Sequence, residues 1–290
     1  MAEIFGIVTG ALSIAALFNN AVDCFEYIQL GRNFGTDYQT CQIRLDIAQL
    51  RLSRWGAAVD AQSNPDFTEV HPRSNDAQTA KRTLEQLLKL LHHAYTQSYD
   101  FKSGAKEEEL AVFDPSSNTN QAVKSLRTKL RTLTTGRKKS TDLSKKISWA
   151  LYKQKFFTRL IDDIQELLDG LEKIYPVKES YKQLAEEEIG ELEDEVSLRI
   201  VSEASQDTDN ILRAAAEEKL ERLEASNSIG KAKVTGAAKV KVGDEYISQP
   251  IPGGISSGTT SNRIADLDAS GESRVHVGTS YIQGGKGFLD

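Results

Sequence analysis

The side chains with reactive or ligating potential are few: two cysteines, four histidines and a run of seven carboxylates between Glu186 and Glu195. None is spaced for catalysis. Cys24 and Cys41 have no plausible histidine partner, and two cysteines are too few for a disulfide scaffold, so both read as reduced, buried small hydrophobes. His92 and His93 are neighbours, about 100° apart around a helix, and do not converge on one metal; no HExxH occurs. The carboxylates splay around a helix and repel one another, which suits a solvated face. Gly285-Lys-Gly287 lacks the strand–loop–helix setting of a phosphate loop, and there is neither a Walker A loop nor a nucleophile elbow. The expectation is a protein that is not an enzyme and holds no cofactor or metal.

The chemistry that the sequence does encode is that of the backbone. Residues 227–246 align without a gap on residues 262–281, at a constant offset of 35. Asn227 matches Asn262, Ile229 matches Ile264, Gly236 matches Gly271, Val240 matches Val275, Val242 matches Val277, Gly243 matches Gly278 and Tyr246 matches Tyr281. A period of this size marks units that bury their apolar faces by stacking. Val-x-Val between polar residues is strand alternation, and the paired glycines mark turns. With residue i over residue i+35, the two asparagines form an amide ladder. Ile229/Ile264, Ala232/Leu267, Val240/Val275 and Val242/Val277 form one dry column. Lys231 then faces Asp266 and Lys233 faces Asp268, which is favourable, while Lys239 over Arg274 is not. Such a stack ends in unpaired strand edges that template further copies. A disordered Gly-rich tail is the alternative, since 11 of the 20 glycines follow residue 226.

The 290 residues are 39% apolar, and the first ~220 suffice for an ordinary core. Net charge is −6; residues from 227 carry seven basic and six acidic groups, so the near-neutral tail does not repel itself. No signal peptide is evident, which suggests an intracellular, cytoplasmic protein.

Residues 4–22 contain no charge, and this span is marginally long enough to cross a bilayer. It also fits an amphipathic first helix with Ile4, Ile7, Val8, Ala11, Ala15, Phe18, Val22 and Phe25 on one face. Gly6 and Gly10 lie one turn apart, as on close-packing membrane helices. The resting expectation is a core-packed helix, closed by a turn at Gly31–Gly35. Tyr38 to Val59 predicts a helix with one buried face, and Leu84 to Tyr95 a third. Residues 102–120 read as a loop. Val123, Leu126, Leu130 and Leu133 mark a basic helix, with nine Lys/Arg and one acid between Lys124 and Lys146. That charge suits a solvated face complementing the acidic helix downstream better than nucleic acid, which is not expected as a partner. Trp149, Tyr152, Phe156, Leu160, Ile164, Leu167 and Leu171 predict the strongest core helix. One acidic helical stretch then runs from Glu179 to Ala225.

These features resemble the fungal HET-s/HET-S heterokaryon-incompatibility family. The similarity rests on the two Asn-initiated repeats, Gly271-Glu-Ser-Arg-Val275 and Gly284-Gly-Lys-Gly-Phe288. At the other end it rests on Phe5–Val8, Leu17–Asn20, Asp23–Tyr27, Gln29–Arg32, Arg44–Ala48 and Leu52–Gly56. Asp244 and Thr279 stand where the family often has a second asparagine, and Leu289 where it has tryptophan.

The resemblance implies an all-α HeLo helical bundle over residues 1–226. A prion-forming domain follows over residues 227–290, with the repeats joined by a linker, 247–261. That domain is disordered when soluble and a β-solenoid of two stacked repeats when amyloid. It further implies an incompatibility or programmed-cell-death function, in which amyloid templating of the tail releases an N-terminal membrane segment carrying Ile4, Gly6, Ile7, Gly10, Leu12, Leu17 and Phe18. The implied partners are further copies of the chain as amyloid or as a HeLo dimer, an allelic HET-s/HET-S-type protein, and an NLR-type receptor with a matching motif. Membrane lipids follow on activation, with relocation to the plasma membrane. Asp23 and Asn33 are the implied determinants of allele type. A prion-type allele that propagates amyloid without killing, and a soluble helical interaction module with a disordered tail, are the alternatives.

Overall fold

The computed structural model describes residues 12–31, 34, 37–112, 121–139, 149–225, 227–229, 231–242, 245–248, 262–277 and 280–283. Ile4, Gly6, Ile7, Gly10, Asn33, Gly243, Gly278 and most of the 247–261 linker lie outside them. The chain divides into two units: Met1–Leu192 with Ile200–Ala215, and Glu193–Arg199 with Ala216–Asp290.

The first unit is helical. Its elements are α1 (Ile14–Phe25), α2 (Tyr38–Ala58), the short α3 (Pro65–Thr68), α4 (Asn75–Gly104), α5 (Gln121–Gly136), α6 (Gln154–Ile174), α7 (Lys178–Gly190), part of α8 (Glu195–Ser205) and the start of α9 (Asn210–Ala225). Polar residues set the helix starts. Ser13 accepts from the Ala16 amide, Asn64 caps α3 ahead of Pro65, and Ser74 accepts from the Ala77 amide.

α2 is the axis of the bundle. It touches α1, α5, α6 and α7, and it is buried on nearly every side rather than along one stripe. The predicted apolar residues are in the core, but so are Asp46, Gln49, Ser53 and Arg54. A helix surrounded in this way has no solvent face on which to leave its polar side chains, so they must find partners inside.

α1 docks on α2 through Phe18, which is fully buried and lies 6.1 Å from the Trp55 ring. Gly56 makes the room, because a Cβ there would lie 2.3 Å from the Phe18 ring. Trp55 stacks on Phe67, which meets Tyr175 edge to face. Leu17 and Phe18 are thus core residues, and Leu12 packs against the same cluster. No helix among the described residues is long and apolar enough to cross a membrane.

Three readings of the sequence need correction. Residues Ile28–Leu30 form strand β1, paired in parallel with β2, Trp149–Leu151. Trp149 and Tyr152 therefore precede α6 and are not part of it; Phe157 faces the core and Phe156 is 39% exposed. The acidic stretch is three helices, not one, broken after Gly190 and after Ser205. Asp194 accepts from the Ser197 amide, and Asp209 accepts from the Leu212 amide as the cap of α9.

The second unit carries eight short strands among its described residues: β3 (Asn227–Ile229), β4 (Ala232–Val234), β5 (Lys239–Val242), β6 (Glu245–Ser248), β7 (Asn262–Ile264), β8 (Leu267–Ala269), β9 (Arg274–Val277) and β10 (Ser280–Gln283). β3 pairs with β7, β4 with β8, β5 with β9 and β6 with β10, all in parallel. The two repeats are two rungs of one stack.

Gly56→Ala forces Phe18 out of its slot. The overpacking costs about 1–3 kcal/mol, read as a lower denaturation midpoint of the full chain with Trp55 fluorescence altered; an unchanged midpoint would contradict this docking of α1 on α2.

Candidate functional site: stacked repeats and a buried charge hub

The stack follows the sequence offset at every rung contact. Asn227 pairs with Asn262, Ile229 with Ile264, Ala232 with Leu267, Val240 with Val275, Val242 with Val277 and Tyr246 with Tyr281. Gly236 and Gly271 both have positive φ, +76° and +80°, and turn the chain between β4 and β5 and between β8 and β9. They also touch: a Cβ on Gly271 would lie 2.9 Å from the Gly236 carbonyl oxygen.

Charge supports the register in part. Lys231 Nζ lies 3.1 Å from Asp266 and Lys233 Nζ 4.0 Å from Asp268, both exposed pairs worth at most about 1 kcal/mol. Lys239 and Arg274 sit side by side as like charges. The rungs are covered unequally. Val234 and Val242 are buried, whereas Leu267 and Val277 are 43% and 41% exposed. The second repeat thus shows open apolar surface beside strand edges of the kind that accept another strand.

The helical unit is built round Arg54. Its guanidinium donates to both oxygens of Glu188 on α7, at 2.5–3.1 Å, and to Asp209 at 3.1 Å. All three side chains are at most 2% exposed. Burial opposes the charge of Arg54, but Asp209 and Glu188 outweigh it and hold the guanidinium more firmly protonated than usual. Glu188 also accepts from Arg137, just beyond α5. One helix turn earlier on α2, Arg51 binds Glu172 and Asp169 of α6 and the Thr208 carbonyl. Asp46 accepts from Arg127 and Arg131 of α5.

Among the described residues, the basic stretch after Lys124 is only in part a solvated face, and it meets the acidic helix through Arg137 and Lys129. Arg127, Arg137 and Lys138 turn inward, and one carboxylate of the acidic run, Glu188, is a core residue. Their charges alone gave no signal of this; the residue types at Asp194 and Asp209 signal only the helix starts that follow them.

Asp23 is 1% exposed, near the end of α1, and binds Lys138, which also reaches Glu26 at 2.8 Å. The two cysteines are buried. Burial drives the Cys24 thiol well above its ordinary range, and burial with nearby Asp37 pushes Cys41 up to about 11, so neither supplies a thiolate at neutral pH.

Comparison with known proteins agrees with both halves. The HeLo profile, described as prion-inhibition and propagation, matches residues 6–201, and the Het-s 218-289 profile matches residues 219–281. The chain is 41% identical to heterokaryon incompatibility protein s of Podospora anserina over 291 residues, covering all of both chains. It is 40% identical to protein S of the same species at the same coverage. It belongs to the HeLo family of fungal heterokaryon-incompatibility proteins.

Among solved HeLo structures, the HET-S N-terminal domain superposes with a TM-score of 0.72 at 42% identity, covering 76% of this chain and 98% of that one. A doubly substituted HET-s N-terminal domain gives 0.70 at 41%, covering 72% and 99%. The helical unit has the HeLo fold, and the repeats correspond to the prion-forming domain of these relatives.

Gly271→Ala places a methyl group against the Gly236 backbone at positive φ and should abolish protection of the β5 and β9 amides in hydrogen exchange. Gly236→Ala, with the same φ but open space around the added methyl, should cost only about 1–2 kcal/mol of strain and retain partial protection. Equal behaviour of the two variants would contradict the stack.

Proposed function

We propose that this chain is an incompatibility protein that executes cell death when its tail is templated into amyloid. A matching seed adds its strands to the open edges of the stack, and the two repeats become two rungs of a growing β-solenoid. The observation that carries this reading is an overlap. Residues Lys219–Ala225 lie in α9, yet they fall inside the prion-forming match at residues 219–281.

Residues drawn into a solenoid cannot remain helical. Losing 219–225 leaves α9 as nine residues, too short for a stable isolated helix. Its cap, Asp209, is an arm of the Arg54 hub, so shortening α9 strains the core of the helical unit. The loosened unit frees residues 4–22 for membrane insertion. Leu17 and Phe18 exchange their slot against Trp55 and Gly56 for lipid, and Gly6 and Gly10 form the packing face between inserted copies.

The seeds are the amyloid form of an allelic HET-s/HET-S-type protein or the matching motif of an NLR-type receptor. The protein waits in the cytoplasm and acts at the plasma membrane. Asp23, held as a buried charge near the end of the segment, bears on whether a given allele kills or only propagates.

Dye-loaded liposomes mixed with the full-length chain and preformed fibrils of residues 220–290 test this. Leakage should require both, and should disappear with Gly10→Asp. It should also disappear with Val275→Pro, which removes a ladder donor from β9 and prevents fibril growth while leaving the helices folded. Fibril growth without leakage would overturn the killer reading in favour of a prion-type member, and a tail that stays monomeric when seeded would overturn both.

A further inference from the structure

α1 is held by more than its apolar face. Asn19, Asn20 and Asp23 are all buried, and one short segment after α5 supplies partners to two of them. Lys138 Nζ donates to Asp23 and, at 2.8 Å, to Glu26. The Lys139 amide donates to Asn19 Oδ1 at 3.1 Å, and Asn19 also exchanges hydrogen bonds with Gln62.

The residue immediately before this grip points the other way. Arg137 donates to Glu188, the carboxylate that Arg54 binds on α7. Both side chains of the clasp are largely buried, 14% exposed for Arg137 and 8% for Lys138. Burial would weaken the Lys138 charge, but its bonds to Asp23 and Glu26 prevail and keep it protonated. Two sets of ion pairs, Asp209–Arg54–Glu188–Arg137 and Lys138–Asp23, are thus joined by the peptide bond between Arg137 and Lys138.

We infer that Arg137 and Lys138 are a relay that ties the hold on α1 to the integrity of the C-terminal helices. While α7 and the α9 cap are in place, Glu188 fixes Arg137, and Lys138 is positioned over Asp23. When Glu188 leaves the hub with α7, Arg137 loses its anchor and the segment lifts. Asp23 then loses the Lys138 ion pair, which destabilises the docked position of α1. The physiological use of this relay rests on the proposed membrane role of residues 4–22; the relay itself does not. Arg137 and Lys138 are positioning residues and have no part in insertion.

Hydrogen exchange of the full-length, unseeded chain tests it. Lys138→Met and Arg137→Met should each speed exchange of the α1 amides by at least roughly tenfold, with the α7 amides unchanged because Arg54 still holds Glu188. The double variant should be no faster than Lys138→Met, since both changes cut one path. Arg131→Met on α5, whose partner Asp46 retains Arg127, should leave α1 at the wild-type rate and serves as the control. Wild-type α1 exchange in Arg137→Met would overturn the relay even if Lys138→Met is fast, and so would additive effects in the double variant. No seed or membrane enters this measurement, so its failure is distinct from failure of liposome leakage; in the leakage assay, both single variants should need less seed.

Discussion

A buried guanidinium with two carboxylates is the constraint on which this fold depends. Arg54 sits on the axial helix, where water cannot reach it, and Glu188 and Asp209 come from chain more than 130 residues away. Removing one side of such a pair costs about 3–5 kcal/mol, against a total stability of about 5–15 kcal/mol for a typical domain. A hydrophobic substitute on α2 would pack as well and would lose nothing when α9 left. Ionic pairing makes the core conditional on the C-terminal helices, and that conditionality is what the proposed triggering requires.

In the proposed mechanism the repeats supply the opposing pull. Their parallel register, their paired glycines and the Lys231–Asp266 and Lys233–Asp268 contacts favour one alignment, and the exposed Leu267 and Val277 leave it unfinished. Each added copy would cover that apolar surface and satisfy the strand edges. Lys239 beside Arg274 opposes stacking, as like charges in register do, but two such side chains are solvated and separate easily. The gain therefore comes from backbone pairing and from the valine column.

The register of the stack was legible because a parallel stack of two similar segments has one alignment that pairs like with like, and the offset of 35 can be read by eye. The helices around α2 were legible from their 3–4 spacing. The β1–β2 pair was not: three-residue strands leave no alternation to count, and Trp149 and Tyr152 continue the helical spacing of α6 by coincidence. Nor was the hub. Arg54, Glu188 and Asp209 look like surface charges, and only the enclosure of α2 by four helices makes them core residues. Lys138 was hidden likewise in a run of basic residues whose average character is solvated. In each case local pattern failed where burial was decided by distant packing.

The central claim is that amyloid growth in the repeats opens the helical unit through α9 and the Arg54 hub. Time-resolved hydrogen exchange on the seeded full-length chain addresses it most directly. The account predicts that β3–β10 gain protection while residues 210–225 lose it first, followed by α7 and then α1. Fibrils that form while α7, α9 and α1 keep their unseeded protection would contradict it.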